Sequence, residues 1–139
     1  MYTIRYAKDS DKSFWFNTDK SIDEFTFENK IQNYMAYIFE DRQKKIGILR
    51  YSLFNDTIPF CNLICIVENY RFKGCGRALL QYWKQDMRAR GYSFAMVSCF
   101  MDDKIYNFYH KMGYREAGVI MIPDKRNDNR MEIIMTKRL

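Results

Sequence analysis

Between Val67 and Ala78 the chain reads Glu68-Asn69-Tyr70-Arg71-Phe72-Lys73-Gly74-Cys75-Gly76-Arg77, and its residue types suit the binding of an anion. Two glycines, Gly74 and Gly76, let a backbone approach a ligand closely. A helix beginning there leaves its first N–H groups without an intrahelical acceptor. Together with the helix dipole and the cations Arg71, Lys73 and Arg77, such a start would hold a phosphate or pyrophosphate. A blander reading exists, in which the glycines only turn the chain beside a solvated basic helix. Two familiar phosphate loops are excluded. A Walker A loop needs Lys-Ser/Thr after its last glycine, whereas Arg77-Ala78 follows Gly76. A dinucleotide-binding turn needs its first glycine directly after the strand and a third small residue, where this chain has Leu79.

The elements that must position this loop are legible on either side. Residues 60–67, Phe-Cys-Asn-Leu-Ile-Cys-Ile-Val, read as a strand buried on both faces. After the loop, Leu79, Leu80, Trp83 and Met87 recur at helical spacing, with Arg77, Gln81, Lys84 and Arg88 outside them and Gly91 as the C-terminal glycine. Upstream, residues 3–7 alternate as a strand, and Asp9 and Asp11 suit a turn or cap. Ser21 with Glu24 forms a capping box for a helix over 21–32. Residues 35–39 and 45–54 predict a hairpin across a polar turn, and 55–59 a loop into the central strand. Downstream, 94–100 reads as a neighbouring strand, Asp102 and Asp103 as caps of a helix over 104–112 that Gly113 ends, and 114–122 and 131–136 as strands around a polar loop at 123–130. The order predicts an α/β (α+β) fold with a mixed, mostly antiparallel sheet and helices on both faces.

A chain of 139 residues suggests a single domain spanning 1–139, and 47% hydrophobic with 17% aromatic residues suggests a folded one. No apolar run approaches the length of a membrane span, and the charged, alternating N-terminus does not read as a secretory signal, so the expectation is a cytoplasmic protein with no membrane partner. Cys61, Cys65, Cys75 and Cys99 include no C-x-x-C pair, and His110 is the one histidine, so free thiols and no metal are expected. The net charge of +6 is uneven: residues 1–45 hold eight Lys/Arg and eight Asp/Glu, while segment 71–90 holds six cations against Asp86 alone. That placement suits an anionic cofactor. It would also suit nucleic acid, but the aromatics fall at core periodicity rather than along an exposed basic stripe.

The strand, Arg-x-x-Gly-x-Gly loop and helix resemble motif A of the GCN5-related N-acetyltransferases, the GNAT superfamily, with Arg71, Gly74 and Gly76 at the matching positions. A second family motif, Phe-Tyr-x-x-x-Gly-Phe/Tyr, is similar to Phe108-Tyr109-His110-Lys111-Met112-Gly113-Tyr114. The resemblance runs over nearly the whole chain and is strongest over 60–120. It implies an N-terminal strand, two helices, three antiparallel strands, the motif A helix, a fifth strand, a helix and two last strands. It also implies transfer of an acetyl group from acetyl-CoA to a primary amine, by direct attack in a ternary complex and without metal. The rivals are a non-catalytic acyl-CoA-binding module and a nucleic-acid-binding domain. A homodimer is implied only at the level of the family.

By the same resemblance, residues 71–77 cradle the pyrophosphate, and the backbones of Ile66 and Val67 pair with the pantetheine arm and face the thioester oxygen. Tyr109 stands where family members keep the tyrosine that protonates the departing thiolate; Ile105, Phe108, Tyr109 and Met112 also read as a buried helix face. Asp102 stands where the family has an asparagine touching the cofactor, but a carboxylate cannot donate, and capping explains it equally. For a general base the best-placed carboxylates are Glu68 and Asp56, directly or through water. Asn62, polar within an apolar strand, is read as a core hydrogen-bonding residue or an acceptor contact. A covalent route through Cys65, Cys75 or Cys99 runs against the direct transfer the family uses.

Overall fold

The computed structural model describes residues 1–123 and 130–139. In chain order the elements are β1 (Tyr2–Tyr6), α1 (Lys12–Thr18), α2 (Glu24–Gln32), β2 (Ala36–Asp41), β3 (Lys44–Phe54), β4 (Ile58–Ile66), α3 (Cys75–Ala89), β5 (Phe94–Phe100), α4 (Ile105–Lys111), β6 (Arg115–Ile122) and β7 (Arg130–Arg138). The strands form one mixed sheet in the order β1-β2-β3-β4-β5-β7-β6. The β4–β5 pair is parallel, with Phe60 opposite Met96 and Cys61 opposite Val97. The β1–β2, β2–β3, β5–β7 and β6–β7 pairs are antiparallel. This matches the element order predicted above. The chain divides into two compact units, Met1–Ser52 with Asn62–Gln85, and Leu53–Cys61 with Asp86–Leu139.

In the first unit the period of two along β2 sorts side chains onto two faces. Ala36 and Ile38 join Ala7, Trp15, Phe27 and Ile48 in a core beneath α1 and α2. Tyr37 lies against Tyr51 and Tyr82, with ring centroids 6.3 and 6.0 Å away, and Tyr51 against Trp83 of α3 at 5.9 Å. Helices therefore cover both faces of this part of the sheet. Two buried carboxylates tie the unit together. Asp11 takes both outer guanidinium nitrogens of Arg5 at 2.8 and 2.9 Å, the Lys45 ammonium at 2.8 Å and the Lys8 N–H at 2.8 Å. Asp19 accepts from Trp15 Nε1 at 3.1 Å, Arg50 Nε at 2.8 Å and both the N–H and hydroxyl of Ser21. Despite their burial, these partners hold both carboxyls below the usual range.

The first of the two helices the resemblance implies, α1, occupies Lys12–Thr18, where the contiguous Phe14-Trp15-Phe16 carries no helical period. Local readings nearby are corrected. Ser21 caps nothing; it bonds Asp19, and the cap of α2 is Asp23, two residues later, whose side chain accepts from the Thr26 N–H at 2.7 Å. Pro59 lies inside β4 rather than in the loop before it, and Val67 lies beyond the strand's end.

In the second unit both glycine stops behave as predicted. Gly91 at φ +93 and Gly113 at φ +94 each close a Schellman motif, the first with Tyr92 N–H to Met87 O and Gly91 N–H to Arg88 O, the second with Tyr114 N–H to Tyr109 O and Gly113 N–H to His110 O. At the start of α4 Asp103 Oδ1 accepts the Ile105 N–H at 3.2 Å, as a capping residue should. The β6 side chains Val119, Ile120, Met121 and Ile122 are exposed. The polar loop expected at 123–130 lies, from 124 to 129, outside the described residues.

Candidate functional site: a glycine-started helix and a buried tyrosine

Within the first unit β4 ends at Ile66, a 3-10 turn over Glu68–Tyr70 follows, and residues 71–74 lead into α3. Gly74 sits at φ +84 with nothing within 4 Å of where a Cβ would stand. Its carbonyl accepts the Ala78 N–H at 3.0 Å, which makes it the cap residue of the helix. The N–H groups of Cys75, Gly76 and Arg77 consequently have no acceptor within α3. Arg71, Phe72, Lys73, Gly74 and Arg77 are exposed, Gly76 is half-buried, and Cys75 is buried. The three predicted cations thus stand exposed within four residues of the start of α3, a helix of 15 residues whose first donors are free.

Contacts that sequence alone did not reveal fix this loop. Arg71 Nε donates to the Ile66 carbonyl at 2.8 Å, tying the loop back to the end of β4. The Tyr70 hydroxyl donates to Asp41 at 2.9 Å, and this bond raises the Tyr70 pKa while lowering that of Asp41. The Lys44 and Lys73 ammoniums lie 5.6 and 5.7 Å from the Tyr70 ring. The neighbouring Cys75 thiol pushes the Tyr2 pKa up. Asp41 and Tyr70 are 29 residues apart, and neither carries a local pattern that would pair them.

The end of β4 distinguishes the two backbone positions named from sequence. The Val67 N–H donates to the Ile46 carbonyl at 2.8 Å, and its carbonyl accepts the Tyr70 N–H at 2.9 Å. Successive N–H groups of a strand point to opposite sides, so that of Ile66 is aimed away from β3. Gly47 makes this approach feasible. A Cβ there would stand 2.6 Å from Ile66 Cδ1 and 3.2 Å from the Cys65 carbonyl. Glu68 is exposed at the first residue of the 3-10 turn. Asn62 is exposed too, which overturns its reading as a core hydrogen-bonding residue: at that point one face of β4 is open.

In the second unit Tyr109 is 3% exposed and packs against Phe108 and Tyr114 at centroid distances of 5.6 and 5.8 Å. Burial, with Cys61, Tyr114, Cys99 and Asp103 nearby, raises its pKa well above the ordinary phenol value. Tyr114 is similarly raised by burial, and its hydroxyl has no hydrogen-bond partner among the described residues. Asp102 and Asp56 are exposed. His110 lies on the exposed side of α4 against Glu116 and Arg115. The Cys99 thiol is pushed up by burial and by Asp103, Glu132 and Glu116, which makes it a poor nucleophile. No cluster of three or more metal-ligating side chains occurs among the described residues, and no helix among them is long and apolar enough to cross a membrane.

Residues 32–116 match the acetyltransferase (GNAT) domain family. No curated protein matches the sequence. Solved structures share the fold at low identity. The ribosomal-protein-S18-alanine N-acetyltransferase from Escherichia coli superposes with a TM-score of 0.83 at 19% identity, over 99% of this chain and 94% of that one. Ard1 from Thermoplasma volcanium gives 0.85 at 16%, over 99% and 97%. A GNAT family acetyltransferase from Elizabethkingia anophelis with acetyl-CoA bound gives 0.78 at 14%, over 99% and 98%.

Proposed function

Because the chain belongs to the GNAT family of acetyltransferases, we propose that it transfers an acetyl group from acetyl-CoA to a primary amine, by direct attack within a ternary complex. One observation carries the cofactor assignment: the α3 N-terminus opens on Gly74 at positive φ, with free N–H groups and three exposed cations close to it in sequence. Two phosphates match that arrangement in charge and in donor geometry. The acetyl-CoA bound to the Elizabethkingia protein of the same fold supports the same choice.

Each residue then takes a role. Gly74, Cys75, Gly76 and Arg77 offer backbone donors to the pyrophosphate, while Arg71, Lys73 and Arg77 supply charge. The Ile66 N–H polarises the thioester carbonyl, and Val67, whose own groups are engaged, holds the strand end that aims it. Tyr109 protonates the departing thiolate. Its burial keeps the phenol loaded at every physiological pH, but each unit of raised pKa adds about 1.4 kcal/mol to the transfer. Delivery therefore belongs late in the reaction, as the carbon–sulfur bond breaks and the thiolate is most basic. Glu68, exposed beside the strand end, takes the amine proton directly or through water.

The acceptor is read as a monoamine rather than a polycation. Of the eight acids in residues 1–45, Asp11 and Asp19 are buried against Arg5, Lys45 and Arg50, and Asp23 caps α2. Glu24 and Glu28 pair with Lys12, Glu40 with Arg5, and Asp41 with Tyr70. Few carboxylates are left there to hold several ammonium groups.

Calorimetric titration with acetyl-CoA, beside dephospho-CoA, followed by thiol release over an amine panel, tests this reading. One-to-one binding with turnover on monoamines is expected; no binding at high micromolar cofactor would remove it. Tyr109→Phe should lower kcat at saturating substrates by about 10²-fold or more. Undiminished kcat would take the acid role away from Tyr109.

A further inference from the structure

Phe72 combines two costs that ordinary loop residues avoid. It is 100% exposed, and its backbone sits at φ +61, the left-handed region that favours glycine. The other non-glycine residues at positive φ among those described have local explanations. Arg42-Gln43 and Asn55-Asp56 are pairs in tight turns between strands, and Tyr34 packs its ring 5.2 Å from that of Tyr6. Phe72 belongs to no such pair, and full exposure leaves its ring unpacked. Strain held at a loop together with an unburied aromatic indicates that the ring has work beyond packing the fold.

Its surroundings indicate what kind. Phe72 stands between the exposed cations Arg71 and Lys73, two residues before the cap glycine of α3. A flat π-face beside cations and free backbone donors suits a ligand that has both phosphates and a planar base. Resting on the cofactor reading above, we propose that the Phe72 ring is the platform on which the adenine of the CoA nucleotide stacks, so that this residue selects for the nucleotide end of the cofactor. The left-handed backbone turns the ring out of the loop, where the base can reach it.

Calorimetry with acetyl-CoA and with adenosine 3′,5′-bisphosphate, on wild type, Phe72→Ala, Phe72→Trp and Phe72→Gly, tests this. Binding of acetyl-CoA by the wild type tests the cofactor reading itself, and the ratio of variant to wild-type affinity tests the stacking. Phe72→Ala should weaken both ligands by about 5- to 150-fold, the range of base–aromatic stacking, while Phe72→Trp stays within about twofold of wild type. Phe72→Gly should lose as much affinity as the alanine variant yet melt no lower than wild type, since glycine accepts the positive φ without strain. Wild-type binding with Phe72→Ala within about twofold of it would overturn the stacking and leave the cofactor reading standing. Wild type that binds no acetyl-CoA would overturn both.

Discussion

The two units differ in the ionisable groups that bear on their stability and chemistry. The first buries two carboxylates, Asp11 and Asp19, and gives them a set of cations, N–H groups and hydroxyls reaching to β1, β3 and α1. The second buries two phenols, Tyr109 and Tyr114, and leaves the Tyr114 hydroxyl unpaired among the described residues. The first unit is not faultless, since Trp83 Nε1 is also buried without a partner among the described residues. The contrast nevertheless separates two uses of a buried polar group. A satisfied carboxylate specifies how elements pack and becomes costly once a partner goes. A buried phenol keeps its proton, which a proposed acid requires.

That contrast is broken most severely at Asp11. Asp11→Ala would leave Arg5 and Lys45, each 28% exposed, facing one another without their shared carboxylate. A loss of about 3–5 kcal/mol is expected, and urea titration should place the variant's midpoint well below that of wild type. An unchanged midpoint would show that the network contributes nothing. The pH dependence has a definite sign. A carboxyl held below its usual range in the fold contributes stability that is complete above its unfolded value near about 4, and that is lost as pH falls toward the folded value. Wild type should therefore lose stability progressively below about pH 4, and Asp11→Asn should flatten that part of the curve.

Such networks also mark where sequence reading stops. Helix α3 was legible because Leu79, Leu80, Trp83 and Met87 keep their period and Gly91 ends it; all four side chains are buried. The phosphate loop was legible because its glycines and cations are local. Helix α1 was hidden because Trp15 is placed by a hydrogen bond to Asp19 and ring contact with Phe27, not by a stripe. Ser21 looked like a cap, but Asp19 and Arg50, the latter 29 residues away, recruit its hydroxyl. Asn62 looked internal because its neighbours are apolar, whereas burial depends on what covers a strand. The Arg71–Ile66 and Tyr70–Asp41 ties that shape the loop lie outside any sequence pattern.

Gly47 and Gly91 sharpen the comparison in the middle of the range. Gly47→Ala would place a methyl group 2.6 Å from Ile66 Cδ1 and 3.2 Å from the Cys65 carbonyl, and a backbone atom cannot swing aside as a flexible side chain can. A cost of about 1–3 kcal/mol is expected, together with a weaker acetyl-CoA affinity because the end of β4 must shift. Gly91→Ala meets no atom within 4 Å, so only its φ of +93 is penalised. Its cost should be about 1 kcal/mol with cofactor affinity unchanged. Thermal melting and calorimetry on the pair separate steric crowding at the site from backbone strain away from it; equal effects on binding would contradict the assignment of Gly47 to the strand end.

Tyr114→Phe is the smallest expected change and reverses the usual sign. The Tyr114 ring is 1% exposed and packs 5.8 Å from that of Tyr109, so phenylalanine keeps those packing contacts. The lost hydroxyl has no partner to abandon among the described residues, and a buried hydroxyl without one costs the fold its desolvation. The variant should be more stable than wild type by up to about 1 kcal/mol, whereas most core substitutions destabilise. Asp11→Ala and Tyr114→Phe, measured by urea titration in the same buffer, should therefore move in opposite directions. If Tyr114→Phe is instead less stable by 1 kcal/mol or more, the hydroxyl has a partner, for which ordered water is the first candidate, and the second unit satisfies its buried polar groups as the first does.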